Sequence, residues 1–137
     1  PGGEVADLGL LARDLVEEGL DQELAGALVG RYGSEASAVA NLVRREPALG
    51  ERLVHGLPVI AAEVVHQARR EMAMTVADVM IRRTHLYHTH AGQAVDAAVA
   101  VAGLLGRELG WSEATAEGQA QAYREEAARM RRAITPR

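Results

Sequence analysis

Apolar residues recur every three or four positions along most of the chain, the spacing that amphipathic helices need. Three such runs come before Pro47, which breaks the third. No stretch alternates between apolar and polar residues over a useful length. The pattern therefore predicts an all-α fold with no sheet. Gly19 and Gly33 are predicted to end the first two helices as left-handed residues. Asp21 and Ser34 are predicted to be the N-caps of the second and third helices.

The stretch from Glu63 to Leu86 predicts two helical segments that meet at Thr75. Pro58 is placed to begin the first segment, because its fixed φ suits a first helical turn. Asp78 follows Thr75 by three residues, which is the spacing of a capping box. The first segment has an apolar stripe of Ile60, Val64, Ala68 and Met72 and a polar face of Glu63, Gln67, Arg70 and Glu71.

Two further helices are predicted after a connector at residues 84–89. The first opens at Thr89 or His90, is apolar on both sides and is expected to be buried at the centre. Its glycines, at positions 92, 103 and 106, each weaken it by roughly 1 kcal/mol, for which close packing against another helix would compensate. Ser112 caps the last helix, whose apolar stripe is Ala116, Ala120, Tyr123, Ala127, Met130 and Ile134. The expected architecture is a compact orthogonal bundle of six or seven helices.

The length of 137 residues predicts one domain, residues 1–137, with a lead-in at 1–4 and a frayed tail at 135–137. There is no cysteine, which excludes disulfides and thiolate metal sites. The formal net charge of −4 argues against a nucleic-acid surface. The chain begins at Pro1, which indicates a processed or excised piece, and no signal peptide is visible. The longest uncharged run is about half the ~20 residues of a spanning helix, so we expect a soluble fragment.

Three histidines crowd into the sequence HLYHTH, which raises the possibility of a metal site. They are His85, His88 and His90, spaced three and two residues apart in a predicted connector. Zinc needs three or four converging ligands, and no carboxylate follows closely. We therefore expect solvated loop histidines and no metal site.

Charged residues of the central stretch allow two interpretations. Paired arginines bind phosphate in a bidentate manner, so Arg82 and Arg83 could hold a substrate. They could equally close an internal ion-pair cluster, which we favour because carboxylates lie within helical reach, as in the i,i+4 pair of Asp78 and Arg82. Arg83 is expected to be the buried member and Arg82 the exposed one. The structural or interface candidates are Glu63, Glu71, Thr75, Asp78, Arg82, Arg83 and Thr84.

The same stretch resembles the C-terminal helical domain of FAD-dependent glycerol-3-phosphate dehydrogenases. The resemblance rests on Glu63-Val64, Glu71, Ala73, Thr75, Asp78, Arg82-Arg83-Thr84 and Leu86. Four flanking stretches are similar as well: Pro1-Gly2-Gly3-Glu4, Arg31-Tyr32-Gly33-Ser34-Glu35-Ala36, Glu108-Leu109-Gly110-Trp111 and Tyr123-Arg124.

The resemblance implies a parent enzyme that oxidises glycerol 3-phosphate to dihydroxyacetone phosphate with FAD and passes electrons to quinone. That parent would be cytoplasmic and peripheral to the inner face of the cell membrane, and it would supply any membrane contact. The fragment would be a structural cap on the upstream flavin domain, compatible with a homodimer, without catalytic, cofactor-binding or metal residues of its own. No glycine-rich phosphate loop after a strand is present in the sequence.

A free-standing helical protein–protein interaction module is the alternative function. A helix-turn-helix for DNA is disfavoured, because the helix after Gly33 carries Glu35 and Glu46 beside its arginines. The sequence upstream in the same reading frame distinguishes the two functions. A strand, a Gly-x-Gly-x-x-Gly turn and a helix there would identify the dehydrogenase.

Overall fold

A computed structural model describes residues 5–88 and 91–134, and these residues form six α-helices. Shorter 3₁₀ segments occur at Gly33–Glu35, Pro47–Gly50 and Leu86–His88, and a π-helix spans Asp78–Arg83. Within the described residues there is no strand, so the all-α prediction is confirmed. The lead-in at 1–4, the tail at 135–137 and the predicted helix start at Thr89 or His90 lie outside the described residues. The α-helices are α1 (Val5–Glu17), α2 (Gln22–Tyr32), α3 (Ala36–Arg45), α4 (Ala61–Arg70), α5 (Ala91–Leu109) and α6 (Glu113–Ile134).

The chain divides into two compact units, one ending at His66 and the other beginning at Gln67. The boundary falls inside α4. In the first unit, Asp21 caps α2 as predicted, accepting a hydrogen bond from the Leu24 N–H at 2.8 Å. Gly33 has the expected positive φ of 57°, but Ser34 does not cap α3. The residues after Gly33 form a 3₁₀ turn, and α3 begins beyond it with no side-chain cap.

Helix α4 differs from its predicted form at both ends. It begins at Ala61 rather than at Pro58, because Leu53 and Glu51 hydrogen-bond to Val59 and Ala61 and hold the preceding residues extended. It ends at Arg70, so Met72 is not part of its apolar stripe.

The predicted polar face of α4 is also wrong in its first two turns. Glu63 and Gln67 are fully buried, and His66 between them is almost so. Burial of polar side chains requires hydrogen-bond partners. The partners of Glu63 therefore define the site described below.

In the second unit, α5 is buried on one side only, which corrects the expectation of an enclosed central helix. Ala97, Val101 and Leu105 are fully buried, whereas Val95 and Val99 are exposed. Close packing occurs at one of the three glycines: a Cβ on Gly106 would lie 3.4 Å from that of Trp111, while Gly92 and Gly103 face open space.

Helix α6 has the predicted N-cap, since Ser112 Oγ accepts a hydrogen bond from the Thr115 N–H at 3.1 Å. Its predicted stripe is buried at Ala120, Tyr123 and Ala127. Among the described residues, no helix combines the length and apolar character needed to cross a membrane.

Candidate functional site

The carboxylate of Glu63 is the most completely enclosed charge that the structure describes. Glu63 lies in the first turn of α4 with no solvent exposure. Both carboxylate oxygens accept two hydrogen bonds, so the group has no free position for a ligand. The four donors are Arg31 Nε at 2.8 Å, Arg31 Nη2 at 2.9 Å, the Tyr32 hydroxyl at 2.8 Å and the Ile60 N–H at 2.8 Å.

Arg31 links this carboxylate to the rest of the first unit. It stands in the last turn of α2, where the helix dipole favours a cation. Besides its two bonds to Glu63, it donates to the Pro58 carbonyl at 2.6 Å. The His66 ring packs edge-on against Tyr32 at 5.2 Å, and its Nε2 lies 3.9 Å from Glu35. We call Arg31, Tyr32, Glu63 and His66 the Glu63 site; its contacts hold α2, the loop before α4 and α4 together.

The second candidate is the 71–85 segment, which follows α4. It departs from regular backbone geometry three times: Met72 has a φ of 58°, residues 78–83 form the π-helix, and His85 has a φ of 57°. Positive φ is unusual for residues other than glycine, and π-helices are frequent at functional sites. The 71–85 segment is therefore the part of the second unit where geometry alone points to a function.

The predicted capping box is present at the start of the short helix in this segment. The Asp78 N–H donates to Thr75 Oγ1 at 3.0 Å, and Asp78 Oδ2 accepts from the Thr75 N–H at 3.2 Å and the Met74 N–H at 3.0 Å. Partial burial acts to raise the pKa of Asp78, but these N–H groups and the Thr75 hydroxyl outweigh it and hold the pKa below its ordinary 3.8. The ionised carboxylate therefore stabilises the fold fully above that value, and the contribution is lost as pH falls through the lower folded pKa.

The two arginines of the segment have different partners and different exposure. Arg83 donates to Glu71 twice, from Nη1 to Oε1 at 2.6 Å and from Nη2 to the backbone carbonyl at 2.7 Å. Arg82 donates to Asp78 Oδ1 at 3.1 Å. The Arg83 side chain is 30% exposed and that of Arg82 59%. Arg83 is thus the more buried of the two, yet it is not enclosed. Both terminal nitrogens of Arg83 are bonded to Glu71, whereas Arg82 makes a single hydrogen bond to Asp78 and is otherwise open to solvent.

The structure regroups the residues that the sequence pattern placed together. Glu71 bonds to Arg83, and Asp78 bonds separately to Thr75 and Arg82. The Thr84 hydroxyl, which is buried, donates to the Val79 carbonyl at 2.7 Å. The partners of Glu63 are instead Arg31 and Tyr32, which form part of a different helix. They precede it by more than thirty residues, and no helical spacing signals such a contact.

The histidine cluster is described in part. The rings of His85 and His88 lie 6.3 Å apart, at 28° to each other, and His90 is outside the described residues. In ranges 5–88 and 91–134, no group of three or more histidine, aspartate or glutamate side chains could hold a metal ion. His85 and His88 are both exposed. For His90, solvation stays a prediction.

The hydroxyl of Tyr123 differs from the polar groups described above, which have hydrogen-bond partners. It is buried, its hydroxyl has no hydrogen-bond partner among the described residues, and burial raises its pKa. Because an unsatisfied buried hydroxyl is destabilising, we expect Tyr123→Phe to raise the free energy of unfolding by about 1 kcal/mol. Urea unfolding followed by the fluorescence of Trp111, the sole tryptophan, measures this.

Tyr32→Phe is the matched control, because it removes the same atom. Its hydroxyl donates to the buried Glu63 carboxylate at 2.8 Å, so the change should lower the free energy of unfolding by about 1.5–3 kcal/mol. The two substitutions should therefore act in opposite directions. A loss of stability in Tyr123→Phe would mean that a bound water or another group satisfies the hydroxyl.

Comparison with known proteins relates the chain to one family. Residues 1–116 match the family described as the C-terminal domain of alpha-glycerophosphate oxidase. Most of α6, from residue 117 onward, lies beyond this match. No solved structure matches the chain significantly.

Three curated relatives are each much longer than this chain. The mitochondrial glycerol-3-phosphate dehydrogenase of Mus musculus is 37% identical over 116 residues, which are 82% of this chain and 16% of the mouse protein. The human mitochondrial enzyme of that name is 34% identical over 127 residues, 90% of this chain and 17% of its own length. The glycerol-3-phosphate dehydrogenase of Synechocystis sp. is 32% identical over 126 residues, 91% of this chain and 23% of its own. The chain thus spans less than a quarter of the length of these relatives.

Proposed function

Because this chain belongs to the family of C-terminal domains of alpha-glycerophosphate oxidase, we propose that it is the C-terminal domain of an FAD-dependent glycerol-3-phosphate dehydrogenase. The parent would oxidise glycerol 3-phosphate to dihydroxyacetone phosphate, and FAD would pass the electrons to quinone. The names of the mouse and Synechocystis relatives support this substrate. We further propose that the parent is cytoplasmic and binds peripherally to the inner face of the cell membrane.

The described residues do not fit a flavin site. They contain no strand that leads through a glycine-rich turn into a helix, the arrangement that binds the FAD pyrophosphate. The carboxylates and guanidinium groups of the Glu63 site and of the 71–85 segment are already paired. We therefore assign FAD and the catalytic residues to other parts of the parent, which correspond to the regions of the relatives that this chain does not match. We assign no step of the oxidation to this chain.

The role proposed for the chain is to dock on the flavin domain through the 71–85 segment. Met72 and Met74 carry this proposal, because their side chains are 77% and 60% exposed while Ala73 between them is fully buried. Methionine is unbranched and polarisable, and it adapts readily to an apolar partner surface. Two neighbouring exposed methionines on a fixed turn therefore suit a contact with another domain.

The backbone at Met72 strengthens the argument. Helices α1 and α5 each end at a glycine with positive φ, Gly19 and Gly110, as is usual for helix C-termini. After α4 the corresponding left-handed residue is Met72, with a φ of 58°. This conformation costs a residue with a Cβ about 1–2 kcal/mol, and the exposed side chain recovers little of it within the chain. A contact outside the chain would explain why a long apolar side chain stands there.

A chimera tests the proposed function. In it, this chain replaces the matching region of the Synechocystis relative, to which it is 32% identical over 126 residues. We expect the chimera to bind flavin and to oxidise glycerol 3-phosphate with a soluble quinone as acceptor, whereas the relative lacking that region should lose activity. The purified 137-residue chain should itself be colourless and inactive. A chimera that folds and binds flavin but is as inactive as the deletion would contradict the proposal and favour the free-standing interaction module.

Substitution of the two methionines tests the docking surface. Met72→Asn with Met74→Asp should leave the isolated chain folded, since both side chains are exposed and asparagine tolerates a positive φ. In the chimera, the same pair should lower activity or flavin retention. Leu10→Asp is the matched control, because Leu10 is an exposed apolar residue of α1, in the other unit. Equal activity of the double variant and the control would exclude the methionines from the contact.

A further inference from the structure

Thr84 bonds twice to the carbonyl that closes the π-helix. The Val79 carbonyl accepts one hydrogen bond from the Thr84 N–H at 3.0 Å and another from the Thr84 hydroxyl at 2.7 Å. In an α-helix this carbonyl would accept from Arg83, four residues on, whereas the bond from Thr84 spans five residues. Because Thr84 is buried, water does not compete for its hydroxyl. The hydroxyl therefore strengthens a contact that distinguishes the π-helical register from the α-helical one.

The π-helix also determines which of the two arginines faces Glu71. Its turn is wider than that of an α-helix, because each hydrogen bond spans five residues instead of four. Suppose that the capped start at Thr75 stayed in place and the turn tightened to an α-helix. The side chains at its end would then shift by about one position along the sequence. Arg82 would stand where Arg83 stands now, and Arg83 would turn away from Glu71.

Arg83 connects this register to the turn at Met72. Its Nη2 donates to the Glu71 carbonyl at 2.7 Å, and that carbonyl belongs to the peptide unit just before Met72. A second bond closes the same turn, since the Ala73 N–H donates to the Gln67 carbonyl at 3.0 Å, the long bond of a Schellman motif. The positive φ of Met72 therefore depends on a peptide unit that the guanidinium of Arg83 holds in place.

We propose that Thr84 is a positioning residue of the docking surface. Its hydroxyl holds the π-helical register, which keeps Arg83 on Glu71 and thereby fixes the turn that presents the two exposed methionines. Without the hydroxyl, the α-helical register becomes accessible, Glu71 exchanges Arg83 for Arg82, and the turn loosens. The inference rests on the docking role proposed above for the 71–85 segment. It makes docking depend on a buried residue that does not itself lie on the surface.

Double-mutant cycles in the 137-residue chain test the register. They combine Glu71→Ala with Arg83→Ala or with Arg82→Ala, and urea unfolding gives the coupling of each pair. In the unmodified chain, Glu71 and Arg83 should couple by about fivefold or more in the folding equilibrium constant, and Glu71 and Arg82 should not couple. Thr84→Val keeps the shape of the side chain but removes the hydroxyl. In that variant the coupling to Arg83 should be largely lost, and a coupling to Arg82 should appear. Thr84→Ser retains the hydroxyl and should behave like the unmodified chain.

The chimera described above tests the link between the register and docking. Thr84→Val should lower its activity or flavin retention, as the double methionine variant does, whereas Thr84→Ser should not. Unchanged coupling of Glu71 with Arg83 in Thr84→Val would overturn the proposed role of the hydroxyl. So would equal losses in Thr84→Val and Thr84→Ser, because serine keeps the hydroxyl.

The two experiments separate this inference from the proposed function. A Thr84→Val chain that loses the coupling of Glu71 with Arg83 but forms a fully active chimera would overturn the link to docking alone. If the chimera of the unmodified chain were itself inactive, the docking role would be refuted together with the proposed function. The cycles in the isolated chain would still decide whether Thr84 holds the register.

Discussion

Arg31→Ala is expected to lower the free energy of unfolding by about 3–5 kcal/mol, the largest effect of any single substitution considered. The change leaves the Glu63 carboxylate fully buried with only the Tyr32 hydroxyl and the Ile60 N–H as donors. A buried charge without a counter-charge is costly, because water cannot reach it to compensate. Denaturant unfolding monitored by circular dichroism measures the effect. Hydrogen exchange should locate the weakened amides in the unit that ends at His66.

The reverse truncation and a surface pair provide the controls. Glu63→Ala should cost less than Arg31→Ala, since the Arg31 side chain is 25% exposed and can regain water. Arg44→Ala removes an arginine paired with Glu18 at 3.0 Å on the surface and should cost under about 1 kcal/mol. If Arg31→Ala proved as mild as Arg44→Ala, the Glu63 carboxylate would have to be satisfied in some other way, and the Glu63 site would not hold the first unit together.

Arg83→Ala should lower the free energy of unfolding by about 2 kcal/mol. The sequence pattern led us to expect the full cost of a buried pair, but the partial exposure of Arg83 lets water replace part of its interaction with Glu71. What is lost is a charge-assisted bond at 2.6 Å and a second bond to the Glu71 carbonyl at 2.7 Å, which together fix the turn after α4. Urea unfolding of the 137-residue chain, read from Trp111, measures the loss.

Arg82→Ala is the matched control for Arg83→Ala. Arg82 is the more exposed neighbour, and its pair with Asp78 is the i,i+4 contact of an accessible helix face, worth about 0.3–0.5 kcal/mol. The urea concentration at the midpoint of unfolding should therefore differ clearly between the two variants. Suppose instead that Arg83→Ala unfolds like the unmodified chain yet inactivates the chimera. Arg83 would then be an interface or ligand residue, and its structural role would be refuted.

The sequence predicted those features that depend on residues close together in the chain. Asp21, Ser112 and Thr75 each cap a helix by accepting a hydrogen bond from the N–H three residues further on, so the residue type and its spacing were sufficient. The helical secondary structure and the number of helices followed from the spacing of the apolar residues. The relative burial of Arg82 and Arg83 also followed from their places on one short helix.

Features that depend on distant contacts were not predictable in this way. Polar residues on one side of α4 suggested solvent, because periodicity cannot distinguish a solvated carboxylate from one that a distant arginine neutralises. Arg31 lies on another helix, and no local sequence pattern predicts its contact with Glu63. Apolar residues on opposite sides of α5 likewise suggested burial on both sides, whereas Val95 and Val99 remain exposed. Nor does any residue pattern specify the π-helix at Asp78–Arg83.

The exposure of Met72 and Met74 also determines which residues of the chain are oxidised first. There is no cysteine, so thioethers are the only sulfur atoms that oxidants can attack. Met80 is fully buried and sheltered, whereas the two exposed methionines are open to conversion into polar sulfoxides. The first oxidative damage would therefore fall on the proposed docking surface and leave the helical core intact. A preparation treated with hydrogen peroxide should therefore keep its helical spectrum and melting temperature while the proposed docking on a flavin domain is lost.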